Sequence, residues 1–170
     1  LSINQMQEII FNFSDYIDVW KLGWATTQLQ DKYTVTQKVD LLRRYDIRAM
    51  TGGTLFELAE HQGMTGVYID ALVEYGFNTL ELSSGSIDIS EKRICEIVNK
   101  AKEKKLFCYC EVGKKEAAID LSADEYNEII GKYLNAGADK VIVEARESGK
   151  SVGVMGEDGE PCQEKLEKCI

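Results

Sequence analysis

Apolar residues in this chain gather in short runs about thirty residues apart, and amphipathic stretches fill the gaps. The runs cover residues 17–22, 47–51, 79–82, 106–112 and 140–144, with starts 30, 32, 27 and 34 residues apart. Runs of this length suit buried strands. Between them, residues 36–45, 65–75, 90–104 and 122–136 repeat apolar positions at helical period. Residues 1–13 form a further amphipathic helix with Ile3, Met6, Ile9, Ile10 and Phe13 on one side, and 162–170 read as another. Ser90 is placed to cap the helix that follows, and Ser122 with Glu125 makes a capping box. Gly76 and Gly137 stand where two helices should stop. Strand, helix and strand at this spacing make the βαβ unit, which implies a parallel sheet.

Two architectures fit: an open doubly wound sheet and a (β/α)8 TIM-type barrel. A complete barrel takes about 250 residues, and five strands are legible in 170 residues. The chain starts inside one helix and stops inside another. The expectation is therefore a single β/α-barrel domain over 1–170, incomplete at both ends, with its first strand and last two strands outside this sequence.

Composition narrows the function. Hydrophobic residues make up 44% and charged residues 29% of the chain, enough for a substantial core. Twenty basic against 29 acidic side chains leave a formal charge of -9, which disfavours a general nucleic-acid or anionic-membrane partner. No apolar run approaches the roughly 20 residues of a membrane span, so a cytoplasmic location is expected. The five cysteines, Cys95, Cys108, Cys110, Cys162 and Cys169, show no CxxC pair. Cys108 and Cys110 would share one strand face as buried free thiols in a reducing compartment.

Candidate chemistry lies at the strand ends, where parallel β/α proteins place their active sites. The five runs lead into Lys21-Leu22-Gly23-Trp24, Thr51-Gly52-Gly53-Thr54, Glu81-Leu82-Ser83-Ser84-Gly85, Glu111-Val112-Gly113-Lys114-Lys115 and Glu144-Ala145-Arg146-Glu147-Ser148-Gly149. Alternation puts Thr79, Glu81 and Ser83 on one face, and Ile142, Glu144 and Arg146 on another. Three glutamates would then converge with Lys21, Lys114 and Arg146. Converging charges are costly to bury unless they are paired or bind something. Gly52-Gly53 opening a helix presents backbone N–H groups to an anion. The single histidine, His61, reads as a surface or hinge residue, so a Ser/His/Asp triad has no support.

At Lys21-Leu22-Gly23-Trp24, at residues 52–57, at Glu111-Val112-Gly113-Lys114-Lys115 and at residues 144–149, the sequence resembles the phosphosulfolactate synthase family, in order and spacing, from about Asp15 to Gly153. The resemblance implies an oligomeric (β/α)8 barrel. It implies a magnesium-dependent Michael addition of sulfite to the methylene carbon of phosphoenolpyruvate, giving (2R)-O-phospho-3-sulfolactate. Within it, Lys114 is the expected proton donor, aided by Lys115, and Lys21 and Glu111 are further catalytic candidates. Arg146, Gly52, Gly53, Ser83 and Lys115 would bind substrate, and Glu81, Glu111 and Glu144 would hold Mg2+. Two positions depart from the pattern: Thr51 stands where a proline is usual, and Ser84 where Asp or Asn is frequent. Both are expected to touch the mouth of the site. Rival readings are a relative that lacks the activity, such as a stress-associated protein, and an α/β protein binding another phosphorylated metabolite.

Overall fold

The computed structural model describes residues 1–113, 121–144, 155–156 and 158–168. Twelve principal elements are α1 (Ile3–Phe13), β1 (Val19–Leu22), α2 (Lys32–Arg44), β2 (Arg48–Thr51), α3 (Gly53–His61), α4 (Thr65–Glu74), β3 (Thr79–Leu82), α5 (Glu91–Glu103), β4 (Phe107–Val112), α6 (Ala123–Asn135), β5 (Lys140–Val143) and α7 (Gln163–Lys168). Every strand falls inside one of the apolar runs. The strands follow chain order, β1-β2-β3-β4-β5. A doubly wound sheet reverses its order at a switch point, and this order contains no reversal.

Local chemistry explains most boundaries. The Ser122 hydroxyl accepts from the Glu125 N–H at 3.3 Å, and the Glu125 carboxylate accepts from the Ser122 N–H at 2.8 Å, closing the expected capping box. The α2 helix starts four residues before the apolar pattern does. Asp31 caps it, accepting from the Thr34 N–H at 2.9 Å and its hydroxyl at 2.7 Å. Gly76 and Gly137 take positive φ after α4 and α6, and Phe77 and Ala138 donate back to Leu72 and Tyr133. That is the Schellman stop the glycines foretold. The same stop ends α2 with Asp46 at φ 57°, where no glycine gives it away.

The chain divides into two compact units, Leu1–Glu81 with Lys104–Phe107, and Leu82–Glu103 with Cys108–Ile170. In the first, β1 and β2 pair in parallel with Lys21 opposite Met50 and Leu22 opposite Thr51, and Met50 stands opposite Thr79 of β3. Lys21, Met50, Thr79 and Glu81 therefore share one face, and Leu22, Thr51 and Leu80 the other. The core is closed by Met6, Ile10, Val35, Val39, Leu42, Ile47, Ala49 and Phe56, all fully buried. Asn78 accepts the Ala49 N–H at 2.9 Å, and Arg48 stacks 4.1 Å from the centre of the Phe107 ring.

In the second unit, β4 and β5 pair in parallel with Cys110 opposite Val141 and Glu111 opposite Ile142. Cys108, Cys110, Val112, Val141 and Val143 share a face, while Tyr109, Glu111 and Ile142 share the other. Cys108 and Cys110 are buried free thiols, as expected, and burial pushes the Cys108 thiol up to about 12. Cys95 and Cys162 are also free, and Cys169 lies outside the described residues. No helix among the described residues is long and apolar enough to cross a membrane.

Candidate functional site

In the first unit the polar residues at the strand ends are tied to one another. Glu81, 3% exposed, lies with Oε2 2.7 Å from the Lys21 ammonium, while its Oε1 accepts the Gly53 N–H at 3.0 Å. The Lys21 contact is a close ion pair, aimed off the axis of a good hydrogen bond. Glu81 thus meets both an ammonium and the first N–H of α3, which compensates a charge that would otherwise be expensive to bury. Lys21 remains 45% exposed, so its ammonium faces the protein on one side and solvent on the other.

The backbone around this pair is crowded. A Cβ at Gly52 would lie 3.2 Å from the Gly23 Cα and 3.4 Å from the Trp24 nitrogen, so a side chain there would press the two loops apart by a few tenths of an ångström. Trp24 and Ala25 follow with φ of 55° and 52°. Left-handed backbone at non-glycine residues costs roughly 1–2 kcal/mol each, and such strain concentrates at functional sites. Thr51, 1% exposed, hydrogen-bonds the buried Tyr68 hydroxyl of α4 at 2.5 Å. Burial, with the charge of Glu81 adding to it, holds the Tyr68 phenol above its usual range. The Thr51 side chain therefore turns toward the helices and away from the mouth of the site, contrary to the expectation for this departure.

In the second unit, the Glu144 N–H donates to the Val112 carbonyl at 3.0 Å and extends the ladder by one residue. Glu144 thereby shares the face of Ile142 and Glu111, two carboxylates set diagonally on adjacent strands. Gly113 packs against Glu144 at φ 122°, where a Cβ would come 3.2 Å from the Glu144 Cβ and 3.4 Å from the Tyr126 hydroxyl. Ser83 is buried, and the Ser84 hydroxyl is taken up locally, accepting the Ile89 N–H at 3.2 Å and donating to the Ile87 carbonyl at 3.2 Å. His61 is the exposed last residue of α3. Lys114, Lys115 and Arg146 lie outside the described residues.

The whole chain, residues 1–170, matches the profile of a family described as (2R)-phospho-3-sulfolactate synthase (ComA). The chain belongs to this family. It is 38% identical over 148 residues to the phosphosulfolactate synthase of Methanothermobacter thermautotrophicus, covering 86% of this chain and 57% of that protein. Against the phosphosulfolactate synthase of Methanocaldococcus jannaschii the figures are 36% over 155 residues, 90% and 62%. Against that of Bacillus subtilis they are 33% over 156 residues, 91% and 60%. The chain thus spans roughly three-fifths of the length of these synthases.

The resemblance read from the sequence implies a divalent cation. Among the described residues no three His, Cys, Asp or Glu side chains form a ready cage. Glu81 meets the Lys21 ammonium at one oxygen and the Gly53 N–H at the other. Glu111 and Glu144 share a strand face, and magnesium is commonly held by one or two carboxylates, with waters and substrate oxygens completing its shell. Sequence reading found the carboxylates and Lys21 but missed Tyr68 and Tyr126. An isolated tyrosine on an amphipathic helix carries no signal beyond its apolar spacing.

Proposed function

We propose that the protein containing this chain adds sulfite to phosphoenolpyruvate, on a (β/α)8 barrel of which these are five strands. The observation that carries this reading is the family match along the entire chain, joined to a preorganised cation at Lys21. Unbroken chain order of the strands supports the barrel.

Both reactants are anions, so the site must offset their repulsion before any bond forms. Lys21, held by Glu81 and half open to solvent, supplies a compact positive charge for a phosphate, carboxylate or sulfite oxygen. As the sulfite sulfur bonds to the methylene carbon, the double-bond electron pair moves toward the carboxylate. A fixed ammonium stabilises the resulting enolate-like charge without reorganising in the transition state. Glu111 and Glu144 would hold magnesium, which when bound screens that same charge. Lys114 would deliver the proton to the carbon bearing the phosphate, and Arg146 would grip an anionic group bidentately. A small-molecule site of this kind needs no nucleic-acid or membrane partner.

The test is direct. Full-length protein is incubated with sulfite and phosphoenolpyruvate, with and without magnesium, and phosphosulfolactate is quantified. Magnesium-dependent product is the expected result. A folded full-length protein yielding no product under any metal condition would overturn the reading in favour of a family relative with another role.

A further inference from the structure

We infer that Lys38, a buried lysine on α2 outside the reaction machinery, is a positioning residue that holds the strained loop after β1 in place beside Lys21. The inference rests on the proposed function where turnover is the readout, and on the first unit's geometry alone where the loop itself is observed.

Lys38 is 5% exposed. A lysine that deeply placed ordinarily meets a carboxylate. Here its ammonium donates to the Gln30 amide oxygen at 2.5 Å, and no carboxylate lies within ion-pair distance among the described residues. A charge kept at this depth for one neutral partner calls for an explanation beyond packing.

Gln30 supplies it. Its amide nitrogen donates to the Thr26 carbonyl at 3.2 Å. The Thr26 hydroxyl and N–H in turn both donate to the Gly23 carbonyl, at 2.8 and 3.1 Å. One continuous chain of hydrogen bonds therefore runs from Lys38 through Gln30 and Thr26 to Gly23, two residues beyond Lys21. The segment it braces is costly to hold. It contains two successive left-handed non-glycine residues, Trp24 and Ala25, and the Thr27 hydroxyl is buried without a partner among the described residues. It also exposes Trp24 at 78% and Leu29 at 85%, which gives it little apolar burial to offset those costs. A charged donor on Gln30 strengthens the first link, because charge-assisted hydrogen bonds are shorter and stronger than neutral ones. Gln30 is then oriented to grip the loop. Since Gly23 and Trp24 abut Gly52, loosening the loop also frees the turn that leads to the Gly53 N–H on Glu81.

Trp24 offers a reporter inside the loop. In full-length protein with Trp20 and any tryptophan outside this chain replaced by phenylalanine, Trp24 anisotropy and acrylamide quenching are measured with turnover and the unfolding midpoint. Lys38→Met and Gln30→Ala should each lower the anisotropy and raise quenching. Each should also weaken kcat/KM on the order of tenfold to a hundredfold, the scale of a small misplacement near reacting groups. The double variant should be no worse than either single one, since both cut the same chain. Gln30→Glu, which gives Lys38 a carboxylate but removes the amide donor to the Thr26 carbonyl, should loosen the loop as Gln30→Ala does. Unchanged Trp24 signals in both single variants, with at most a lower unfolding midpoint, would overturn the inference and leave Lys38 a packing residue. Gln30→Ala keeps the test open if Lys38→Met fails to fold. If the unsubstituted protein forms no product, the functional reading fails, and the Trp24 signals still decide the role of Lys38.

Discussion

The strand ends of the first unit and those of the second both carry glutamates, yet the chain treats them differently. Glu81 is buried, neutralised by Lys21 and pinned by the Gly53 N–H. Glu111 and Glu144 are half-buried and diagonal on neighbouring strands, with Gly113 packed close against Glu144. The contrast separates two uses of one side chain. A carboxylate whose oxygens are both taken by the protein acts on its neighbours. For the other use we propose the two carboxylates that share a face on neighbouring strands, Glu111 and Glu144, as the pair that holds magnesium.

The sharpest way to break this contrast is to remove Lys21. Lys21→Met should abolish measurable turnover and destabilise the fold by roughly 2–3 kcal/mol, because it leaves the buried Glu81 charge uncompensated. Adding Glu81→Gln should restore most of the stability and none of the activity, as read by urea midpoints beside product formation. Equal loss of stability in the single and double variants would mean that the pair is not a unit. Glu144→Gln probes the other region. It should raise the magnesium concentration needed for half-maximal turnover by about 10–100-fold and move the unfolding midpoint little. A Glu81→Gln variant with that same magnesium phenotype would erase the distinction.

Smaller effects come from the layer behind the first site. Tyr68→Phe should cost about 1–3 kcal/mol, since it leaves the buried Thr51 hydroxyl without its partner. Thr51→Val with Tyr68→Phe should cost less than the sum of the two, measured by a double-mutant cycle in urea. The second unit offers a pH test instead. The Cys108 thiol sits near 12 in the folded chain against 9.0 when exposed, so the native state binds its proton more tightly. Its contribution is full below pH 9 and drains away as pH rises toward 12, amounting to roughly 1–2 kcal/mol by pH 10.5. Cys108→Ala should flatten that part of the stability curve, and an unchanged slope would show that the thiol is better hydrated than its burial indicates.

Periodicity made the strands and helices legible because each repeat has one buried stripe and a stop that side chains announce, such as Ser122 with Glu125 or Gly137. The α2 start was hidden, since Asp31 begins the helix four residues before its apolar face appears. The α2 stop was hidden too, because Asp46 does there what glycine usually does. At the site, Lys21 and the glutamates were visible as charges at strand ends. Their division of labour was not, because a pairing between residues sixty positions apart leaves no local trace. Thr51 shows the limit most clearly. It stands beside the glycine pair in sequence, but strand alternation turns it to the helix side, where Tyr68 waits.

The contact between Gly52 and the backbone of Gly23 and Trp24 has a consequence for anyone rebuilding this protein. Two loops that meet main chain to main chain leave no side chain through which one can adapt to the other. A loop transplanted after β1 from another α/β protein would have to arrive with its matching turn after β2, as a single cassette. Libraries that randomise either segment alone would sample mostly broken sites, whereas paired libraries would keep the join and vary what it carries.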